Sequence, residues 1–135
     1  MENIEIAEIF YEINHVFVHK STFRKISKGE EMLVHGLLSG FSSAFYKELF
    51  GNSVKTVLFD NNFFIAIRGP KTRNNIVYIF GKYKNFNEIE IDEISQKIYN
   101  AFIDFCLKKG LSTDRFDGNM TKFKNLTEHV KKSLF

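Results

Sequence analysis

Between Ile4 and Val18 the chain reads IEIAEIFYEINHVFV, in which Ile4, Ile6 and then Ile9 are set against Glu5 and Glu8. β-Branched and aromatic residues at a period near two predict a strand. Asn14 and His15 supply turn residues, so a hairpin is expected whose second strand runs from about Val16 to Phe23. A helix over Glu5 to Ile13 is the weaker alternative, because Ile9, Phe10, Tyr11 and Ile13 would cover most of its circumference.

The period changes at Ser27. In S-K-G-E the Ser27 oxygen is placed to accept the third helical amide while Glu30 reaches back to the cap amide. Leu33, Leu37, Phe41, Ala44 and Phe45, with Val34, Leu38 and Leu49, recur at spacings of three and four and predict a broad apolar helix face. Gly51 follows Phe50 as a left-handed stop. Gly36 and Gly40 inside this helix each cost about 1 kcal/mol relative to Ala. Their spacing predicts a place where a sheet backbone approaches closely.

Three strands follow: VKTVLF (Val54 to Phe59), FFIAIR (Phe63 to Arg68) and IVYIFGKY (Ile76 to Tyr83). Asp60, Asn61 and Asn62 form a tight turn and Gly69 to Asn75 a looser hairpin loop, so these strands are antiparallel neighbours. FFIAI and IVYIF are apolar on both alternating faces, which requires cover on both sides of the sheet. Asn87 or Asp92 caps the next helix, whose stripe is Ile94, Ile98, Ala101, Phe102 and Phe105, and Gly110 stops it after Lys108 and Lys109. A last amphipathic segment opens at Thr121, with Phe123, Leu126, Val130 and Leu134 at helical spacing. The expectation is one α+β domain over residues 1–135: a five-stranded antiparallel sheet sandwiched between one helix and two helices.

Composition narrows the class. Sixteen of the twenty-one aromatic residues are Phe, each a large apolar body with no polar tip to satisfy. Phe50, Phe63, Phe64, Phe80 and Phe86 exceed what one small core easily holds, which marks them as candidate interface anchors beside an equal claim as interior residues. A single Cys excludes an internal disulfide and a Cys-based metal cluster. No apolar run is long enough to span a bilayer, and the acidic Glu2, Glu5 and Glu8 are unlike a signal peptide, so a cytoplasmic protein is expected. The net charge of +3 is uneven, with +4 carried between Lys108 and Lys132.

The candidate chemistry is sparse. His15, His19, His35 and His129 lack the carboxylate or Cys spacing of a metal site, and surface or turn histidines are expected. Cys106 has no neighbouring base or cation and reads as a small buried hydrophobe. No GxSxG, P-loop or GxGxxG occurs, so neither enzyme nor cofactor is expected. Arg68, Lys71 and Arg73 around Gly69 and Pro70 form the best short basic cluster, suited to an acidic protein surface or a phosphate, against the plain reading of a solvated hairpin tip. Fifteen Lys against four Arg argue against nucleic acid. The lysines near the C-terminal end alternate with Phe123, Leu126 and Val130 as the polar side of a packed helix, and leave only a peripheral membrane contact open.

The element order, with LLSGFSSAFYKELF (Leu37 to Phe50), the strand TVLFDNNFFIAI and the strand NIVYIF, resembles the longin domain within the roadblock/longin superfamily, in particular its small stand-alone archaeal members. The roadblock branch opens with a helix before its first strand, so a chain opening with strands favours the longin branch. The resemblance implies a non-enzymatic α-β-α module that pairs with itself or a related longin or roadblock subunit and docks small Ras-like GTPases or trafficking machinery. Pairing is expected on Phe41, Phe45, Val54 and Val57, through a strand edge or the first helix, and partner contacts on Arg68, Lys71 and Arg73. The alternatives are a profilin-like actin-binding fold, which needs a helix at residues 4–13, and a small-ligand receptor with its ligand held between helix and sheet.

Overall fold

The computed structural model describes residues 3–41, 54–70 and 74–135, and for residues 39–41, 54 and 55 the backbone alone. In chain order the elements are β1 (Ile4–Ile13), β2 (Val16–Thr22), α1 (Lys28–Phe41), β3 (Val54–Phe59), β4 (Phe63–Arg68), β5 (Asn75–Tyr83), α2 (Glu88–Lys108) and α3 (Leu126–Leu134). Short 3₁₀ turns lie at Asp60–Asn62 and Met120–Phe123. The five strands make one antiparallel sheet in the order β2-β1-β5-β4-β3, an α+β architecture with three α-helices among the described residues. None of the described helices is long and apolar enough to cross a membrane.

Local chemistry sets the joints. Asn14 and His15 have φ of 48° and 68°, the twist of a two-residue hairpin turn, and β1 pairs with β2 from Ile13 and Val16 onward. Glu30 N donates to Ser27 Oγ at 3.2 Å and Ser27 N donates to Glu30 Oε1 at 3.1 Å, so the capping box starts α1. Asn87, rather than Asp92, caps α2 by accepting from Glu90 N at 3.1 Å, and Gly110 follows the helix at φ +67°.

The buried residues fall into two clusters. One joins Ile4, Ile6, Ile9, Tyr11 and Ile13 of β1 to Ile94, Ile98 and Phe102 of α2 and Leu126 and Val130 of α3. The other joins Phe10, Tyr78 and Phe80 to Val34 and Leu38 of α1. β4 contributes Phe64 and Ala66 to the first and Phe63, Ile65 and Ile67 to the second, which is why that strand is apolar at every position but its last. In β1 the pairing with β5 steps from Ile6–Gly81 to Glu8–Phe80, leaving Ala7 as a bulge. The bulge keeps Ile9, Tyr11 and Ile13 on the face of Ile4 and Ile6, and turns Glu8, Phe10 and Glu12 to the other.

Two expectations change and one open alternative is decided. Gly36 is exposed and an added Cβ meets nothing within 4 Å, so no sheet backbone approaches α1 there; the close approach is at Gly81, where a Cβ would lie 2.5 Å from Glu5 O. Of the supposed surplus rings, Phe63, Phe64 and Phe80 are interior at 1% exposure or less, because the two cores share the load, and Phe86 alone of the described four stands out, at 48%. The segment expected to open as a helix at Thr121 makes a 3₁₀ turn first, with Thr121 N donating to Asn119 Oδ1, and α3 begins at Leu126. Ala44, Phe45, Leu49, Phe50 and the Gly51 stop lie outside the described residues.

Candidate functional site

β3 stands at the end of the strand order, paired to β4 from Val54–Arg68 to Phe59–Phe63 and to no other strand among the described residues. A strand so placed offers alternate backbone N–H and C=O groups on its open side. Val57 and Phe59 lean half-buried onto the cluster under α1, while Leu58, opposite Phe64, faces the other way and is 43% exposed. Of the expected pairing residues, Val57 thus lies on this border strand. Val54 opens the same strand and Phe41 closes α1, both described by backbone alone, and Phe45 lies outside the described residues.

Arg68 ends β4 with its side chain only 12% exposed. Its Nη1 donates to Asp92 Oδ1 at 2.7 Å and its Nη2 donates to Gln96, both on α2. It is therefore a brace between strand and helix rather than a residue of a solvated hairpin tip; its expected companions Lys71 and Arg73 lie outside the described residues. The polar seam continues as Tyr99 OH donates to Asn75 Oδ1, Asn75 Nδ2 donates to Thr113 O at 3.0 Å, and Asn74 Nδ2 donates to Asp114 Oδ1 at 3.2 Å. Burial raises the pKa of the Tyr99 phenol, with the Arg68 charge pulling the other way.

A second polar chain ties α3 to the hairpin. His19 Nε2 lies 2.8 Å from Thr127 Oγ1, Thr127 Oγ1 lies 2.7 Å from Ser21 Oγ, and Ser21 Oγ lies 2.9 Å from Tyr11 OH. Burial raises the Tyr11 pKa and lowers that of His19, so the chain favours a neutral imidazole. With His19 Nε2 accepting, each hydroxyl donates once along the chain from Tyr11 to His19.

Two carboxylates are nearly buried on the opposite face of β1. Glu8 meets Lys20 Nζ at 3.0 Å, and Tyr78 OH donates to Glu12 Oε2 at 3.0 Å. His15 sits in the hairpin turn, His129 Nε2 lies 3.0 Å from Asp104, and His35 is exposed on α1. Cys106 is fully buried and burial pushes its thiol up to about 11, which suppresses the thiolate a nucleophile requires.

These side chains hold one element to another: Arg68 joins β4 to α2, His19 and Ser21 join β2 to α3, and Glu12 joins β1 to β5. Sequence reasoning missed the buried Glu8 and Glu12. The one available signal, glutamates flanking Phe10 at a period of two, becomes readable only when the Ala7 bulge is known. No protein-family model matches the chain, and no curated protein matches it.

Proposed function

We propose that this chain is a non-enzymatic protein-interaction module of longin-like build, with α1 on one face of the sheet and α2 and α3 on the other, pairing with a second copy through β3 and binding a small Ras-like GTPase or a trafficking-type subunit. The observation that carries the reading is the pair of buried clusters, one containing α1 residues and the other α2 and α3 residues, around a sheet bordered by β2 at one end and β3 at the other. The order strand-strand-helix-strand-strand-strand-helix-helix, on which the resemblance rests, supports it. So does the engagement of Arg68, His19 and Glu12 in holding elements together, which spends chemically able groups on shape. Lys71 and Arg73 are proposed to meet the acidic partner; they follow Arg68 in sequence, which ties the end of β4 to α2. A profilin-like reading loses the helix it needs, since Ile4–Ile13 is strand.

Sedimentation at high micromolar concentration should report a dimer, and a GTPase recovered by pull-down from the native cell should bind in one nucleotide state better than in the other. A monomer throughout, with no GTPase retained in either state, overturns the proposal.

A further inference from the structure

The segment between α2 and α3 is held in shape by its own polar side chains. After Gly110 the chain turns back, Leu111 N donating to Cys106 O at 2.8 Å. Ser112 Oγ accepts from Asp114 N and from Arg115 N, each at 3.1 Å, and Asp117 Oδ1 accepts from Asn119 N at 2.9 Å. Such side-chain-to-backbone bonds fix a loop without help from a sheet or helix.

The braced loop encloses a half-open cavity of about 340 Å³. Leu111, Phe116 and Phe123 give it an apolar lining continuous with the main core, the two rings 6.2 Å apart, and Arg115, Asp117 and Lys122 supply its charge. Lys122 is paired with Asp117. Among the described residues Arg24 is paired with Glu5 and Arg68 with Asp92, whereas Arg115 has no carboxylate partner. Among the described residues Arg115 thus brings to the cavity's lining a cation without a carboxylate partner, together with the rings of Phe116 and Phe123.

We infer that this cavity is a binding site for a small amphipathic monocarboxylate, its carboxylate on Arg115 and its aryl or short alkyl body against Phe116, Phe123 and Leu111. The guanidinium fork matches a carboxylate with two parallel hydrogen bonds. The volume lies at the small end of the range for ligand pockets, and the mix of mostly apolar walls with a single orienting charge is their usual make-up. With Lys122 neutralised by Asp117, the single surplus positive charge of Arg115 matches a monoanion better than a doubly charged phosphate ester. The same carboxylate-plus-ring chemistry occurs in a free aryl acid and at the C-terminus of a peptide ending in Phe. This site is independent of β3 pairing, so the two ideas fail separately.

Amide NMR of the full chain titrated with 3-phenylpropionate is the test. Saturable shifts are expected at residues 111–117 and at Phe123. The uncharged 3-phenylpropanol and the bodiless acetate should each bind about tenfold more weakly, as one lost charge-assisted contact or one lost ring contact implies. Arg115→Gln should lose about tenfold in affinity for the acid and none for the alcohol; its backbone bond to Ser112 is unaffected, so the fold stays intact. Phe116→Ala should weaken both. A Phe-terminated peptide binding more tightly than phenylpropionate assigns the site to a protein tail, and weaker binding assigns it to a free acid. Absence of saturable shifts, or equal binding by wild type and Arg115→Gln, overturns the inference.

Discussion

Cys106 is packed at 0% exposure and its thiol is pushed up to about 11 by burial alone. In the native protein at neutral or mildly alkaline pH it should react with an aromatic disulfide reagent only as fast as the helix opens, and at the full rate of a free thiol in denaturant. A rapid native burst contradicts the packing described. His19 carries the pH dependence. Burial holds its folded pKa below the ordinary 6.5, so the unfolded chain binds the proton more readily. The contribution is therefore complete above about pH 6.5 and is lost as pH falls from there to the lowered folded value. Urea midpoints of wild type and His19→Gln, compared from about pH 8 to about pH 5, should converge as pH falls; a constant difference contradicts the neutral-acceptor role. Asp104 and Asp117, held low chiefly by hydrogen bonds from Lys108 and Lys122, act in a separate window below their ordinary 3.8. The sequence identified Cys106 as a small buried hydrophobe from its neighbours, but the His19–Thr127–Ser21–Tyr11 chain joins residues more than a hundred positions apart and has no local signal.

The elements that were readable in advance are the ones specified locally. Ser27 and Glu30 cap α1 within four residues, Asn14 and His15 turn β1 into β2, and Asn87 starts α2. The Ala7 bulge was not readable, because it is defined against β5, some seventy residues away. The glycines separate the two cases. Gly36 looked like a contact point with a sheet but faces open space, so Gly36→Ala should stabilise the protein by about 1 kcal/mol through helix propensity. Gly81 lies where β5 meets Glu5 O and the Phe64 ring, so Gly81→Ala should cost about 1–3 kcal/mol through overlap with backbone that cannot step aside. Chemical denaturation of the two variants should move in opposite directions; a stabilised Gly81→Ala contradicts the described register.

At the scale of the whole molecule, the abundance of Phe is explained by a sheet with two cores. Phe63 and Phe80 belong to the cluster that holds Val34 and Leu38, and Phe64 to the cluster that holds Ile98, Phe102 and Val130, so the abundant rings are shared between two cores. What composition and periodicity did not reveal is the joinery: Arg68 bracing the sheet to α2, and the loop that closes the end of α2 around Arg115. Both depend on where loops return in space rather than on any run of residues. The interaction proposal turns on β3, one of the two border strands, on which Leu58 is exposed. Hydrogen exchange at the amides of Val54–Phe59, followed from low to high micromolar protein, tests it most directly. Pairing with a second copy predicts that alternate β3 amides, those on the open side, gain protection with concentration while β5 amides, already paired on both sides, stay constant. Exchange on β3 that is the same at every concentration would contradict pairing through this strand.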